Sequence, residues 1–393
     1  MRKNITRRDF LNGTQVAIGT SLMSPWIDAF GADPSVFALD SGYYPPAKTG
    51  LRGSHDGSWE VMHARVAGAS WPVEKPDDKF DLVVVGGGIS GLSAAHFYRQ
   101  EKPNARVLVL DNHDDFGGHA KRNEFASASG TRIAYGGTEA IDTPSTYTQT
   151  ARALLKDIGI ELERFYEYFD QDLYSSMDLS YAIAFDEKTY GERKLVTGYG
   201  SDSWEEFAAR APMTEKARAD LVRAFTDARD YLPGMTRDEK IALLSKISYR
   251  QYLKDFVKVD DQVLEMYQRW GMSYWCVGMD EVPAIAIQGY TDGGGLPGLE
   301  YTIPRTVDRG NEPYIFHFPD GNASVARLLV RKLIPAALPG STMEDSVTAK
   351  IAYDELDRDD SPVRIRLNST VVNTQHTANN KAVDITYVHN GNS

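Results

Sequence analysis

The alternation of apolar and polar positions first becomes regular at residue 80. Residues 80–85, which are apolar except for Asp81, form a short run rich in β-branched side chains, as a strand buried on both faces of a sheet requires. Residues 92–98 continue with a helical pattern, and a second apolar run at residues 105–110 ends in Asp111. This order of strand, helix and strand predicts an α/β domain that begins at residue 80.

Apolar residues at helical spacing dominate the middle of the chain. They predict helices at residues 146–158, 213–232, 237–247 and 260–270. Residues 181–185 and 193–196 predict a hairpin around Tyr190-Gly191. We therefore expect residues 145–317 to form an inserted lobe that is mostly helical, with some antiparallel sheet.

The pattern changes again after residue 317. Residues 318–324 predict a turn that leads into a helix at residues 325–333. Residues 363–372 alternate as one strand does. Residues 383–388 are followed by residues 390–393, which are expected at the tip of a hairpin. Residues 318–393 are thus expected to add a helix and further strands.

Composition excludes several classes of protein. The chain has 393 residues, of which 42% are hydrophobic and 25% are charged, close to the average for soluble globular proteins. This excludes a mainly disordered chain, a collagen-like chain and a multi-span membrane protein. The net charge of −12 argues against nucleic-acid binding, which needs a basic surface.

The single cysteine, Cys276, limits the chemistry that the chain can perform. One cysteine cannot form an intramolecular disulfide, a four-cysteine zinc site, an iron–sulfur cluster or a CxxCH haem attachment. No metal site is predicted. Any redox chemistry must therefore come from a bound cofactor, and Cys276 itself has no neighbour in the sequence that supports a nucleophilic role.

The N-terminus has the features of an export signal. Arg7-Arg8 is followed by Phe10-Leu11 and by a weakly apolar run at residues 16–23, too short and too polar to span a membrane. Residues 1–38 resemble a twin-arginine signal, which implies the export machinery as a partner and the bacterial periplasm as the location. Residues 39–79, which contain Pro45-Pro46, are expected to form an arm, a linker or a cap on the main body.

Residues 86–91 read Gly-Gly-Gly-Ile-Ser-Gly between the first strand and its helix. Gly86 permits a tight turn, Gly88 lets the backbone approach a pyrophosphate, and Gly91 lets the helix pack against the strand. The helix N-terminus, with Ile89 and Ser90, offers free N–H groups to the phosphates. Asp111, 20 residues after Gly91, can accept hydrogen bonds from ribose hydroxyls and disfavours NADP.

A second glycine pair follows six residues after Asp111, and the Gly117-Gly118-His119 sequence resembles the flavin amine oxidase superfamily. The resemblance implies FAD as the cofactor and residues 80–144 as the first part of a Rossmann-like FAD-binding domain. Asp111 stands where the family more often has Glu, and His119 stands where an arginine is frequent. The family also places a strand and loop beside the flavin ring, which assigns Gly136, Gly137 and Thr138 to that loop.

The resemblance also implies functions for later segments. Val371 corresponds to a family valine whose backbone contacts the adenine, and residues 318–393 would return to the FAD domain. The family continues with a further segment that supplies a lysine near flavin N5, so we expect a truncated chain. Some relatives are thought to carry haem b, for which His55 or His63 would be candidate ligands.

Within the superfamily, the signal and the glycine motifs are similar to those of bacterial spermidine dehydrogenases. The resemblance implies that a neutral amine transfers a hydride to the flavin and that water hydrolyses the resulting imine to an aldehyde and a shorter amine. A net charge of −12 agrees with a polyamine-like substrate. The substrate candidates are acidic and aromatic residues, since these bind alkylammonium groups: Glu139, Asp142, Tyr168 and Asp170.

Two alternatives stay open. The chain can be another FAD oxidoreductase of the same fold, an amino-acid oxidase or a carotenoid-type desaturase, or it can be an inactive truncated FAD-binding chain. Residues 165–172 are alternatively one helix with a core face and a solvated face, and residues 274–276 are expected in the core. The sequence identifies neither a general base nor the electron acceptor.

Overall fold

The computed structural model describes residues 43–48, 59–72, 75–76, 78–226, 229–289, 312 and 315–389. The predicted signal at residues 1–38 and His55 lie outside these ranges. The chain divides into two compact units, Met1–Phe169 with Arg309–Ser393, and Asp170–Asp308. The bounds of the second unit differ from those of the predicted insertion, because residues 145–169 belong to the first unit.

The described residues contain eleven strands and fourteen α-helices. The strands are β1 Leu82–Val85, β2 Val107–Leu110, β3 Arg122–Ser127, β4 Gly130–Tyr135, β5 Ile141–Asp142, β6 Tyr181–Phe185, β7 Lys194–Tyr199, β8 Ile315–Phe316, β9 Val363–Arg366, β10 Ser369–His376 and β11 Val383–His389. The helices are α1 Glu60–Val66, α2 Ile89–Glu101, α3 Gln149–Asp157, α4 Phe165–Tyr168, α5 Leu173–Ser176, α6 Glu187–Tyr190, α7 Trp204–Arg210, α8 Glu215–Thr226, α9 Arg237–Leu244, α10 Tyr249–Tyr252, α11 Asp261–Gln268, α12 Met272–Trp275, α13 Ala323–Leu333 and α14 Met343–Thr348.

The first unit is built on a parallel sheet of order β1-β2-β9. All four residues of β2, the central strand, are buried, which explains its unbroken apolar sequence. Helix α2 connects β1 to β2 and buries Leu92 and Ala95 completely. Helix α13 packs against α2. This arrangement confirms the predicted α/β class and the Rossmann-like unit at residue 80.

The prediction of a single strand at residues 363–372 is wrong. Strand β9 belongs to the parallel sheet, whereas β10 pairs antiparallel with β11. Between β9 and β10 the backbone turns out of strand geometry at Asn368, whose φ of 52° lies in the left-handed region that asparagine tolerates better than most residues. Apolar alternation continues through this turn, so the sequence pattern did not reveal it.

The second unit contains the hairpin β6–β7 and three of the four predicted helices, while the helix predicted at residues 146–158 is α3 of the first unit. The structure confirms the hairpin and its turn, where Gly191 has a φ of 75°. Helices α8, α9 and α11 are confirmed with shorter ends than predicted, and α9 begins at a capping box formed by Thr236 and Glu239. Their apolar faces enclose a core that includes Leu221, Leu244 and Tyr249, all fully buried.

Two expectations about local structure are wrong. Residues 165–172 form no single helix, because α4 ends at Tyr168 and α5 begins only at Leu173. Residues 274–276 do not lie in the core, since Tyr274 and Cys276 are exposed and Trp275 is half-buried. In the part of the chain that the structure describes, no helix has the length and apolar character needed to cross a membrane.

Residues 43–48 pack against the first unit as a cap. The Tyr44 hydroxyl donates to a carboxylate oxygen of Glu124 (2.7 Å), and the Tyr43 hydroxyl donates to the carbonyl of Asp114 (2.7 Å). The two prolines that follow are buried. Residues 39–79 were expected to form an arm, a linker or a cap, and the six residues 43–48 form a cap.

We expect Tyr44→Phe to change the alkaline stability of the protein. Burial and the hydrogen bond to Glu124 raise the pKa of Tyr44 to about 12. The unfolded chain therefore loses this proton first as the pH rises, so stability is lost between about pH 10 and about pH 12. At pH 8 the unfolding free energy of the variant should be about 1 kcal/mol lower than that of the wild type. Above pH 10 the variant should lose less unfolding free energy than the wild type does.

Urea titrations between pH 8 and pH 12 measure this effect. Tyr174→Phe is the matched control, because the Tyr174 side chain is 68% exposed. Equal alkaline slopes in the wild type and Tyr44→Phe would show that Tyr44 does not lie against Glu124 as described.

Candidate functional site

The glycine turn at residues 86–91 has the geometry that its sequence predicts. Gly86 has a φ of 105°, a conformation that other residues rarely adopt. A Cβ added to Gly91 would lie 1.9 Å from the carbonyl oxygen of Gly86, so only glycine lets α2 approach β1 this closely. Gly88 precedes α2 as its N-cap residue without a side-chain cap. The first N–H groups of α2 consequently stay available to an anion.

The second glycine pair lies directly against the first turn. The Gly117 N–H donates to the carbonyl of Gly87 (2.8 Å), and Gly88 and Gly117 form an isolated parallel bridge. A Cβ added to Gly118 would lie 3.2 Å from the Cα of Gly88. The two glycine segments, separated by 25 residues of chain, therefore contact each other through their backbones.

These segments enclose a cleft with a volume of about 400 Å³. The cleft brings together nine of the predicted cofactor residues, and its full lining is Val85, Gly86, Gly88, Ile89, Ser90, Gly91, Gly117, Gly118, His119, Ala120 and Thr138. A phosphate-bearing ligand fits such a lining, because backbone N–H groups can approach it where no Cβ intervenes.

Asp111 lies at the end of β2 and behind the glycine turn. Its carboxylate accepts hydrogen bonds from the N–H groups of Gly87 (2.7 Å) and His113 (2.8 Å). Each oxygen has a second lone pair, so the carboxylate can hold the turn and still accept a ribose hydroxyl. Val371 lies on β10, opposite Tyr387, and β10 starts where Ser369 N–H donates to the carbonyl of Asp111 (2.8 Å).

The segment at residues 136–138 continues the β3–β4 ladder toward the cleft. Gly136 N–H donates to the carbonyl of Lys121 (2.8 Å), and Gly137 N–H donates to that of His119 (3.0 Å). A Cβ on Gly136 would lie 2.6 Å from the Lys121 oxygen, so this glycine is required by packing. Thr138 lines the cleft, and its hydroxyl oxygen is inaccessible to solvent and has no hydrogen-bond partner among the residues that the structure describes. An orphaned hydroxyl of this kind fits a ligand in the cleft.

Sequence reasoning missed the residues that hold Thr138 in place. Asn322, at the start of α13, donates its side-chain amide to the carbonyl of Ala140 (2.9 Å) and its backbone N–H to that of Thr138 (3.2 Å). Gly321 has a φ of 60°, and a Cβ there would lie 2.4 Å from the Thr138 oxygen. The Asp-Gly-Asn sequence at residues 320–322 was the available signal, because these residue types favour tight turns.

We expect Asn322→Asp to weaken ligand binding in the cleft. The substitution keeps the side-chain volume, removes the amide donor and places a carboxylate against the carbonyl of Ala140. Displacement of the Thr138 segment should raise the dissociation constant of a dinucleotide about tenfold, which corresponds to about 1.4 kcal/mol. Titration with FAD measures this change. Asn104→Asp, at an exposed position, is the control. Equal FAD affinities in the two variants would contradict the role of Asn322 in holding the Thr138 segment.

A buried charge cluster under the second glycine pair was also missed. Arg122 is 3% exposed and donates to Glu124 and to Asp320, which is fully buried. Burial lowers the pKa of Arg122, but the two carboxylates outweigh it and the net shift is upward. Arg327, 3% exposed, donates to the carbonyl of Ser346 (2.9 Å). The cluster joins β3 to the turn that precedes α13.

The structure places the predicted substrate residues on different segments of the chain. Glu139 lies beside Tyr135 and raises the pKa of that tyrosine. Asp142 accepts a hydrogen bond from Thr143 (2.6 Å). Tyr168 lines a separate aromatic cavity of about 380 Å³ that includes none of the other candidates. Asp170 is exposed and belongs to the second unit.

Nothing in the structure supports haem. His63, on α1, is exposed and its ring packs against Trp59 with 4.7 Å between centroids. Within the described ranges, no group of three or more His, Cys, Asp or Glu side chains has the arrangement of a metal site.

The comparison with known families agrees with the geometry of the cleft. Residues 84–158 match the family described as the NAD(P)-binding Rossmann-like domain. The first unit has a dinucleotide-binding fold. The match contains both glycine segments, Asp111 and Thr138. It covers less than half of the chain, so the fold of this part is shown rather than the activity of the whole protein.

One curated relative matches a limited part of the chain. Oxidoreductase PigB of Serratia sp. (strain ATCC 39006) is 31% identical over 102 residues, which are 24% of this chain and 15% of that protein. The chain thus spans only a small part of the relative's length in this match.

Solved structures of distant proteins are also similar. A putative protoporphyrinogen oxidase from Exiguobacterium sp. 255-15 aligns with 78% of this chain and 56% of its own, at 13% identity and a TM-score of 0.42. Wild-type putrescine oxidase bound to putrescine aligns with 79% of this chain and 55% of its own, at 15% identity and a TM-score of 0.39. RAB GDI from Plasmodium falciparum aligns with 78% of this chain and 63% of its own, at 13% identity and a TM-score of 0.34. We draw no functional conclusion from similarities of this size.

Proposed function

We propose that the protein is an FAD-dependent oxidoreductase that dehydrogenates an amine of the spermidine or polyamine type. The observation that carries the cofactor assignment is the cleft formed by the two touching glycine segments. Five of its eleven lining residues are glycines, and Thr138, whose hydroxyl is buried and has no partner among the described residues, borders it. The similarity to Oxidoreductase PigB supports the same reaction class.

The residues of this chain would bind and orient the cofactor. The N–H groups at the start of α2, which have no side-chain cap, would donate to its pyrophosphate, and the Asp111 carboxylate would accept its ribose hydroxyls. Thr138 can donate its hydroxyl to an oxygen of the ligand within the cleft. When bound, FAD supplies a hydride acceptor, which is the redox group that a chain with a single cysteine lacks.

The amine assignment rests on the resemblance in the glycine motifs and on charge. A net charge of −12 favours the approach of a polycation at low ionic strength, although this attraction is screened beyond about 8 Å in physiological salt. Glu139 remains the substrate candidate nearest to the cleft in sequence, because it follows Thr138 directly. An amino-acid oxidase or desaturase activity is the second candidate and would use the same cofactor cleft.

Absorbance spectroscopy of the purified chain tests this proposal. We expect a flavin band that bleaches when spermidine is added without oxygen, and that does not bleach with an apolar polyene or a neutral amino acid. A flavin band that bleaches only with an amino acid would replace the amine assignment. A chain that purifies without flavin and does not take up added FAD would overturn the cofactor assignment itself.

We also propose export to the periplasm by the twin-arginine route. The paired residues Arg7 and Arg8, followed by an apolar run, support this location. Cell fractionation of a double Arg7→Lys and Arg8→Lys variant tests it. The variant should stay in the cytoplasm while the parent protein is found in the periplasm, and identical fractionation would contradict the route.

A further inference from the structure

Strand β6 has an edge that no other strand covers within the described part of the chain. The strand pairs with β7 alone, and apart from this ladder the backbone of residues 182–185 makes no hydrogen bond to a described residue. In an antiparallel pair, every second residue of a strand directs its N–H and C=O groups away from its partner. Edge strands often carry charged residues or proline, whereas β6 reads Tyr-Ala-Ile-Ala-Phe. The outer edge of β6 can therefore accept another strand.

A groove with a volume of about 750 Å³ runs beside this edge. Residues 182–185 line it on one side, and Glu265, Met266 and Arg269, on α11 or directly after it, line it on the other. Successive side chains of a strand point to opposite faces, so a cavity that contacts four consecutive residues lies at the edge of the strand. Among the described residues that line the groove, none belongs to β7. The groove thus follows the free edge of β6.

The two walls of the groove are joined at one end. The Tyr190 hydroxyl donates to the carbonyl of Gln262 (3.2 Å), and the side-chain amide of Gln262 donates to the carbonyl of Thr189 (3.3 Å). Phe185 is 2% exposed and fixes the end of β6 in the core of the second unit. At about 3.3 Å per residue, residues 182–185 offer a template for about four residues of an added strand.

The uncommitted charges of the groove are positive. The Asp186 carboxylate accepts a backbone N–H as the N-cap of α6 (2.9 Å), and Glu265 forms an ion pair with Arg250 (2.7 Å). Lys188 and Arg269 also line the groove, are exposed, and form no ion pair with any residue that the structure describes. A chain with a net charge of −12 therefore places two available cations beside a free strand edge.

We propose that the groove binds an extended, acidic peptide segment of a partner protein, which adds to β6 as a third strand. Main-chain hydrogen bonds to β6 would provide affinity, and attraction of the carboxylates to Lys188 and Arg269 would provide selectivity. A second copy of this chain is a poorer occupant, because it would bring its own Lys188 and Arg269 to the pairing. The groove and the dinucleotide cleft share no lining residue, so this binding is independent of the cofactor.

Fluorescence anisotropy with the full chain tests the proposal. The probe is a labelled peptide of six residues, alternating valine and glutamate, with both ends capped. Lys188→Glu and Arg269→Glu should each weaken its binding about threefold to fivefold, and the double variant about tenfold or more. Lys194→Glu is the matched control, because Lys194 is an exposed cation of β7 outside the groove, and it should bind as the wild type does. Circular dichroism checks that all variants keep the fold.

Two further peptides separate the contributions of backbone and charge. Lysine in place of glutamate should weaken binding about tenfold. Full N-methylation of the peptide backbone should abolish binding, because it removes every N–H donor of the added strand. Amide hydrogen exchange in residues 182–185 should become slower when the acidic peptide binds.

The inference is overturned if the acidic peptide does not bind, or if the lysine or N-methylated peptide binds equally well. A loss in Lys194→Glu equal to that in Arg269→Glu would also overturn it, since the charge effect would then not belong to the groove. A wild-type dimer in analytical ultracentrifugation, with the amides of residues 182–185 protected in the absence of peptide, would assign the edge to a second copy instead.

Discussion

Replacement of Gly91 by alanine is expected to abolish dinucleotide binding and to destabilise the first unit by about 3 kcal/mol or more. The added Cβ would lie 1.9 Å from the carbonyl oxygen of Gly86 and 3.1 Å from a methyl group of Val84. Because the close neighbour is backbone, α2 must move away from β1. The N–H groups at the start of α2 would then leave the cleft.

Thermal unfolding and FAD titration together measure this effect. Ser93→Ala, two positions along the same helix, is the matched control, because it adds no atom and alanine favours helix. We expect the control to change stability by less than about 0.5 kcal/mol and to bind FAD normally. Unchanged stability and affinity in Gly91→Ala would mean that α2 does not pack against the glycine turn as described.

Replacement of Arg122 by methionine is expected to cost about 3–5 kcal/mol of unfolding free energy. The variant keeps much of the side-chain volume but leaves the carboxylates of Glu124 and Asp320 buried without their cation. Asp320 retains the hydroxyl of Ser324 (2.7 Å) as a donor, and Glu124 retains that of Tyr44 (2.7 Å). Neither hydroxyl carries a positive charge, so the penalty for two buried anions remains.

Urea denaturation at neutral pH measures the loss. Arg358→Met is the control, because Arg358 is 50% exposed and its partner Asp360 is 72% exposed, and such a pair contributes at most about 1 kcal/mol. Addition of Glu124→Gln and Asp320→Asn to Arg122→Met should recover part of the loss, since both remaining side chains are then neutral. If Arg122→Met lowered the unfolding free energy only as much as Arg358→Met does, the charged groups of the cluster would be solvated rather than buried.

The glycine motifs were interpretable from the sequence because their requirements are local. The left-handed φ of Gly86 and the close helix packing at Gly91 depend on residues within a few positions of one another. The same is true of α2 and β2, whose apolar patterns reflect burial on one face and on both faces. The expectation that β1 is buried on both faces is wrong, because β1 is the end strand of the described sheet, is only half-buried and exposes Val85. Helix α9 and its capping box belong to this class as well.

Features that depend on distant partners were missed or misjudged. Arg122 and Asp320 are 198 residues apart in the sequence, so their pairing has no local signature. The strand predicted at residues 363–372 continued through Asn368 because its apolar alternation is the same in both sheets. The exposure of Tyr274 was misjudged because an aromatic residue near a buried segment does not reveal on which side of the chain the core lies.

The sequence by itself determined the α/β order of elements, the turn of the first glycine motif and the carboxylate at the end of β2. Each of these follows from backbone sterics or burial over a few residues. Only the tertiary structure decided that the two glycine segments touch, that Thr138 faces the same cleft and that Asn322 holds it there. These contacts join segments that are distant in the chain, and only the packing of α13 and the β3–β4 hairpin around the sheet brings them within hydrogen-bonding distance.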